Sequence, residues 1–274
     1  MSSGAHLIRV DYHFHPNLPT SNARAARKVA RLYKRFAQRG ISAVLITEHV
    51  YKDPVRAWRM MQEQKPADIT IFPGLEYLTR EGIDICLFAE TDAIYSYSWI
   101  PYALSYEEVI DFLQTHPDVR GFVTHPYTLG TTSIITKKGD SFTKEAIEAL
   151  GSVECVYSVF KDLKKLLSLP ILRLCTASLR ARIDKNESLP LDFHPRTLRF
   201  FAIGSDAHHV WEIGPCAEVA IKESVFASIV GNTAIQPYGI DQGKLWRLIP
   251  AAFTTAHEWL LKRVTAAPSS NATA

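Results

Sequence analysis

Residues 6–49, HLIRVDYHFHPNLPTSNARAARKVARLYKRFAQRGISAVLITEH, decide the fold class. The opening segment, HLIRVDYHF, has the composition of a β-strand. The middle segment carries apolar residues at helical spacing, a cap at Ser21 or Asn22 and a stop at Gly40, so it predicts a helix. The last segment, ISAVLITEH, is a continuous apolar run, which is typical of a strand buried on both faces. The stretch therefore predicts a strand–helix–strand unit.

The same alternation continues along the rest of the chain. Further strands are predicted in ITIFPGLEYL, GIDICLFAE, RGFVTHP, SVECVYS, LRFFAIGSDAH and CAEVAIK. Helices are predicted in PVRAWRMMQEQ, in TKEAIEALG and in SYEEVIDFLQTH, where Ser105 and Glu108 form a capping box. Residues 159–187 are predicted to be mostly helical. This succession predicts an α/β fold with a mainly parallel sheet, either open or closed into a barrel.

The composition narrows the classes of function. The chain has 274 residues, 47% of them hydrophobic, and a net charge of only +3, which argues against a dedicated nucleic-acid binder. No stretch is apolar and long enough to span a bilayer, and the first residues do not resemble a signal peptide. The four cysteines are scattered without a Cys-x-x-Cys pair, so we expect reduced thiols and a cytoplasmic location.

Metal-capable side chains recur where the predicted strands end. They are His13, His15, Glu48, His49, Glu76, His125, Glu154, Asp206 and His208. In a parallel sheet or barrel these ends converge on one face, where active sites lie. A single histidine of this kind is more often structural, but six strand ends that each supply His, Asp or Glu favour a metal site.

These residues also form a set of motifs in a fixed order. DYHFHP, ITEHV, PGLEY, THP and GSDAH resemble the motifs of the PHP (polymerase and histidinol phosphatase) family of metal-dependent phosphoesterases, and the match runs from about residue 8 to about residue 220. The resemblance implies a distorted (β/α)7 TIM-like barrel. It also implies two or three divalent transition-metal ions, Zn, Mn or Fe, at the carboxyl ends of the strands.

The resemblance assigns the ligands motif by motif. The implied metal ligands are His13, His15, His49, Glu76, His125, Asp206 and His208, with Glu76 as the bridging carboxylate. Asp11 would accept a proton from a ligand histidine. Two positions depart from the family pattern, because Cys86 stands where a histidine is common and Glu48 replaces an aspartate. Two metals, or a third held by Cys86, both remain open, and so does the role of Glu154.

Such a site predicts hydrolysis of phosphoesters by a metal-bridging hydroxide. The expected substrate is a small phosphorylated metabolite or a nucleotide. His209 is a candidate donor to the leaving group, and Arg80 a candidate cation for the phosphate oxygens; Lys137, Lys138 and Lys161 are further candidates. The alternatives are a nuclease acting on nucleic-acid ends and a non-catalytic metal-bound scaffold domain.

The domain prediction places the barrel at residues 1–231 and a C-terminal extension at residues 232–274. A helix at about 250–264 presents apolar residues at helical spacing, and we expect it to pack on the barrel. A homo-oligomer contact through residues 244–264 and a membrane-surface helix are the alternatives. The final residues are predicted to be disordered.

Overall fold

The computed structural model describes residues 6–127, 133–155, 181, 184, 198–233 and 236–238. Its strands are β1 (Leu7–Phe14), β2 (Ala43–Ile46), β3 (Thr70–Leu78), β4 (Asp84–Ala89), β5 (Val119–Val123), β6 (Ser152–Glu154), β7 (Phe200–Ala202), β8 (Cys216–Ala220) and β9 (Pro237–Tyr238). Its helices are α1 (Asn22–Arg39), α2 (Pro54–Glu63), α3 (Tyr106–Thr115), α4 (Ile134–Leu150) and α5 (Val225–Val230), with a 3₁₀ turn at Asp92–Ser96.

The strands form one curled nine-stranded sheet in the order β7-β6-β5-β4-β3-β2-β1-β8-β9. β1, β2 and β3 are parallel, and so are β5, β6 and β7. β4 runs antiparallel to both of its neighbours, and β8 and β9 extend the sheet in antiparallel fashion beyond β1. The predicted α/β class is confirmed, but the sheet is mixed rather than mainly parallel, because four of its eight neighbouring strand pairs are antiparallel.

The segment that follows β7 returns to the edge of β1. The N–H of Tyr12 donates to the Ile203 carbonyl at 3.3 Å, the N–H of Asp206 to the His13 carbonyl at 2.8 Å, and the N–H of His15 to the Ala207 carbonyl at 3.1 Å. Gly204 permits this close approach, because a Cβ there would lie 2.3 Å from the His13 Cβ. The fold is therefore barrel-like, and the distorted (β/α)7 arrangement stays a prediction.

An irregularity in β1 decides which way its histidines face. The pairing with β2 shifts register between Asp11 and Phe14. Phe14 packs edge-on against Phe36 of α1, on the helical side of the sheet. Tyr12 and His13, although consecutive, both contact aromatic rings of the strand cluster inside the curl. The bulge thus turns His13 towards the inside without displacing Tyr12.

Helices α1, α2 and α3 begin and end within a residue of the sequence prediction, whereas α4 begins at Ile134, before the predicted segment TKEAIEALG. α1 ends at Gly40, whose φ of 64° is left-handed, and α2 begins with Pro54 after Asp53, which accepts the Arg56 N–H. Ser105 and Glu108 form the predicted capping box of α3, an arrangement worth about 1 kcal/mol. These local signals fix the helix ends. The loop after each helix therefore starts at a defined residue, which helps to set the register of the strand that follows.

Some predictions fall on other parts of the chain. The helical region at 159–187, Lys161, the helix at 250–264 and the contact surface at 244–264 lie outside the described residues. Within the described ranges, no helix combines the length and the apolar character that crossing a membrane requires.

Candidate metal centre

All seven side chains named as metal ligands meet inside the curled sheet. His13 and His15 come from the end of β1, His49 from the loop after β2, Glu76 from β3, His125 from the loop after β5, and Asp206 and His208 from the segment after β7. Five are buried, and the His125 and Asp206 side chains are only 11% and 12% exposed. The polar atoms of residues from the ends of four strands and from β3 thus meet in one buried region.

Several ring nitrogens lie close to one another as well as to carboxylate oxygens. His13 Nε2 lies 2.9 Å from His15 Nε2, and His49 Nε2 lies 3.0 Å from His208 Nε2. Asp206 Oδ1 is 3.2 Å from His15 Nε2 and 3.6 Å from His13 Nε2. Lone pairs directed at a common point are what a cation needs.

Glu76 faces two groups of histidines at once. Its Oε1 is 3.3 Å from His125 Nε2 and 3.6 Å from His13 Nε2. Its Oε2 is 2.5 Å from His49 Nδ1 and 3.8 Å from His15 Nε2. Each oxygen of Glu76 thus faces a different pair of ring nitrogens.

Four overlapping groups in the described residues can each hold a metal ion. They are His15–His49–His208, His13–His15–Asp206, His13–Glu76–Cys86 and Glu76–Asp84–His125, each with ligand atoms within 4.8 Å of one another. Cys86 and Asp84 both lie in the first half of β4. Asp84 was not foreseen, because the strand-end rule assumes parallel strands and β4 is antiparallel, so its beginning lies beside Glu76.

Carboxylates and carbonyls behind the rings fix their tautomers. His13 Nδ1 is 3.2 Å from both oxygens of Glu154, and His208 Nδ1 is 3.1 Å from the Asp206 carbonyl. Since those oxygens only accept, each Nδ1 carries the proton and each Nε2 keeps its lone pair for a metal. Glu48 is not a comparable partner of His15, because its Oε1 is 3.7 Å from Nδ1, beyond hydrogen-bonding distance, and accepts the backbone N–H of His49 at 3.2 Å.

The role that the resemblance gives to Asp11 is corrected. Its carboxylate accepts the backbone N–H of Ser205 at 2.8 Å, the Ser205 hydroxyl at 2.6 Å and the backbone N–H of His13 at 3.3 Å, not a ring N–H. Asp11 therefore ties the backbone before Asp206 to β1. The carboxylate facing a ligand ring from behind is Glu154, which also accepts the backbone N–H of His125 at 2.8 Å.

Two of the candidate ligands have left-handed backbone. The φ angles of His125 and Asp206 are 27° and 47°, in a region that non-glycine residues rarely adopt. Strain of this kind costs on the order of 1–3 kcal/mol and persists where surrounding contacts hold it, commonly at functional sites. Here the Glu154 and Asp11 carboxylates anchor the two segments.

The electrostatics match a cation site. Burial would lower the pKa of His15, but the nearby carboxylates of Asp206 and Glu48 outweigh it and raise the pKa to about 10. For His125 the contact with Glu76 likewise outweighs burial and raises the pKa to about 9. Conversely, burial and the neighbouring His15 charge lower the pKa of His49 and of His208. In the metal-free chain, protons on some rings thus occupy the place of cations.

The two predicted catalytic residues lie in different surroundings. Arg80 is exposed and donates to the Ala103 carbonyl and to Glu108 at the start of α3. His209 follows His208 directly, and its ring stacks on Trp211 with centroids 4.3 Å apart. Catalytic roles for both remain predictions.

Two lysines that the sequence did not single out lie beside the cluster. Lys28 of α1 donates to the carbonyls of Asn17 at 2.8 Å and His208 at 3.1 Å, and burial lowers its pKa to about 8. Lys52 donates to the Asn17 side chain at 3.2 Å. Burial, then Lys28 and Lys52, lower the pKa of His209. Lys28 resembles any exposed helix lysine in sequence, so only the fold identifies it.

Fold and site together define a barrel-like α/β protein with a candidate centre for more than one metal ion. Comparison with family models and with curated proteins finds no match. Two solved structures are similar. PsfC from Pseudomonas syringae PB-5123 matches with a TM-score of 0.57 and 16% identity, and the match covers 85% of this chain and 90% of PsfC. The lesion-specific endonuclease PfuEndoQ from Pyrococcus furiosus matches with a TM-score of 0.50 and 13% identity, and the match covers 81% of this chain and 55% of the endonuclease. The chain thus spans about half of the endonuclease, and at these identities the likeness is one of fold.

Proposed function

We propose that the chain is a metal-dependent phosphoesterase of the PHP type that holds two or three divalent transition metals, Zn, Mn or Fe. One observation carries the proposal: His13 and His208 are oriented from behind through Nδ1, so that their Nε2 atoms lie 2.9 Å from His15 Nε2 and 3.0 Å from His49 Nε2. The proposed ligands are His13, His15, His49, Glu76, His125, Asp206 and His208. Mixed imidazole and carboxylate donors suit these metals better than Mg²⁺ or Ca²⁺.

The protein's own residues would prepare the site. Two bound cations would lower the pKa of water and neutralise charge on a phosphate. Glu76 would hold them together through its separate oxygens. Glu154 keeps the His13 ring in place, Glu48 accepts the backbone N–H of the ligand His49, and Asp11 holds the strained backbone at Asp206. Burial keeps bulk water away, which strengthens each of these interactions.

The substrate class is argued from chemistry and from the structural neighbour. A small phosphorylated metabolite or nucleotide is the first candidate. The endonuclease among the similar structures supports the alternative of a nuclease, and a metal-bound scaffold without turnover is the third. The cysteines in the described residues, Cys86, Cys155 and Cys216, are buried free thiols, which supports a reducing compartment such as the cytoplasm.

Elemental analysis and a substrate panel test the proposal. The purified protein should carry at least two transition-metal equivalents and hydrolyse a generic phosphodiester such as bis(p-nitrophenyl) phosphate. His13→Ala and Asp206→Asn should abolish turnover, whereas His6→Ala, an exposed histidine outside the cluster, should not. Circular dichroism would verify that the variants fold. Near wild-type turnover in either cluster variant, or failure to bind two metals on reconstitution, would refute the proposal.

A further inference from the structure

The turn that carries His208 into the cluster also displays an aromatic pair at the surface. The His209 and Trp211 rings are nearly parallel, with 7° between their planes and centroids 4.3 Å apart. Trp211 is 38% exposed, and the other large exposed hydrophobic residues in the described ranges, Leu7 and Ile100, are aliphatic. An exposed indole thus lies three residues from a candidate metal ligand.

The turn is held rigidly relative to the cluster. One oxygen of Glu212 accepts the backbone N–H groups of His208 at 2.7 Å and His209 at 2.8 Å. The Glu212 N–H in turn donates to the His209 carbonyl at 3.0 Å. Because these hydrogen bonds join both ends of the turn, they hold its backbone in a fixed position relative to His208. A ligand that stacks on the rings would therefore lose little binding free energy to ordering of the turn.

Positive charge lies on the same side of the site. Lys28 Nζ is 3.1 Å from the carbonyl oxygen of His208 and 2.8 Å from that of Asn17. Lys52 reaches the side chain of the same asparagine at 3.2 Å. One ammonium group thus contacts both Asn17 and the backbone of the candidate ligand His208, and the second contacts Asn17, so both lie where they would attract a phosphate.

We propose that the His209–Trp211 pair is a base-stacking subsite and that the substrate is a nucleoside phosphate, with its phosphate at the metals and its base on the exposed indole. This inference rests on the proposed function. A flat aromatic face next to fixed cations matches a ligand that joins a planar ring to an anion. Nucleobases stack on tryptophan largely regardless of sequence, since every base has a π-face. A sugar phosphate without a base would leave the indole uncovered.

Binding measurements separate the base from the phosphate. Adenosine 5′-monophosphate and ribose 5-phosphate would be titrated calorimetrically into the metal-loaded protein and its variants. Trp211→Ala should weaken binding of the nucleotide about 5- to 100-fold, the effect of losing one base–aromatic stack. It should leave ribose 5-phosphate binding within about twofold, as expected where no contact is lost. Trp211→Phe should restore most of the loss, and Ile100→Ala, an exposed residue elsewhere, should change neither ligand.

The outcomes distinguish this inference from the proposed function. Equal loss for both ligands, or no loss for the nucleotide, would overturn the subsite even if bis(p-nitrophenyl) phosphate is hydrolysed. Nucleotide binding that depends on Trp211 in a protein that hydrolyses no phosphoester would support the subsite and refute the proposed function. Where nucleotide binding does depend on Trp211, a short oligothymidylate with a 5′-phosphate identifies the source: a larger loss for the oligonucleotide than for adenosine 5′-monophosphate indicates nucleic-acid ends, and an equal or smaller loss indicates free nucleotides.

Discussion

Gly204→Ala should break the contact that closes the sheet. An alanine Cβ at this position would lie 2.3 Å from the His13 Cβ and 2.5 Å from the His13 backbone nitrogen. Real Cβ atoms essentially never approach closer than 3.0 Å. The obstructing atoms belong to β1 itself, so no side-chain rotation relieves the overlap, and the segment after β7 must move away from the strand.

The size of the effect follows from what moves. Overpacking a tight site costs about 1–3 kcal/mol. The flanking hydrogen bonds, Tyr12 to Ile203 and Asp206 to His13, contribute a net of about 1 kcal/mol each. We therefore expect a loss of about 3–5 kcal/mol in the free energy of unfolding, a large part of the 5–15 kcal/mol typical of a domain. Metal content should fall as well, because His13 and Asp206 separate.

Urea unfolding of the metal-free protein measures the loss without a contribution from bound ions. Gly214→Ala is the matched control, since a Cβ there would find its nearest neighbour, Arg39 Nε, at an ordinary 3.8 Å. Elemental analysis of the loaded variants gives the second readout. If Gly204→Ala were destabilised by less than about 1 kcal/mol, the average for any substitution, and kept its metal, the close approach would not hold the site together.

Three other perturbations address the candidate ligands. Glu154→Gln should weaken metal binding about 10- to 100-fold, because the carboxylate behind the His13 ring loses its charge. Metal affinity is measured by competition with a chelator, with the exposed substitution Glu223→Gln as control. Equal metal affinities of the two variants would contradict the prediction. Cys86→Ser should leave the metal count unchanged, because burial and nearby carboxylates raise the pKa of the thiol well above its usual range; a drop of one equivalent in elemental analysis would instead identify Cys86 as a ligand. Metal affinity should rise with pH up to about 10, by up to about tenfold per pH unit for each proton displaced. The reason is that the His15 ring, whose pKa is raised to about 10, carries a proton below that pH, and a cation must displace this proton to bind. Chelator titrations between pH 6 and 8 in which metal affinity does not change with pH would exclude the displacement.

Much of the site could be predicted because the sequence marks its strand ends clearly. Apolar runs stop at His15, His49 and His125, and a strand rule that needs no tertiary information places them together. The helix ends at Gly40 and Ser105 are set by local hydrogen bonding and can be predicted for the same reason.

The remainder depends on contacts between distant parts of the chain. Asp84 lies at the site because β4 runs antiparallel to β3, and the sequence of β4 contains no signal for that direction. The interaction of Lys28 with the His208 carbonyl spans 180 residues, and that of Asp11 with Ser205 spans 194. The sequence leaves the role of Glu154 open, because that role depends on which nitrogen of the His13 ring faces the carboxylate.

The pairing of residues 12–15 with residues 203–207 also constrains how the protein is made. A ribosome delivers about 5–20 residues per second, so β1 waits some tens of seconds at the slower rates for the segment that closes on it. During that interval the nascent chain exposes histidines without their partner aspartate, together with an unpaired strand edge of the kind that promotes aggregation. Contacts of such long sequence separation also slow folding. We therefore expect full metal uptake to be post-translational, which makes bound metal a marker of completed chains rather than a nucleus for their folding.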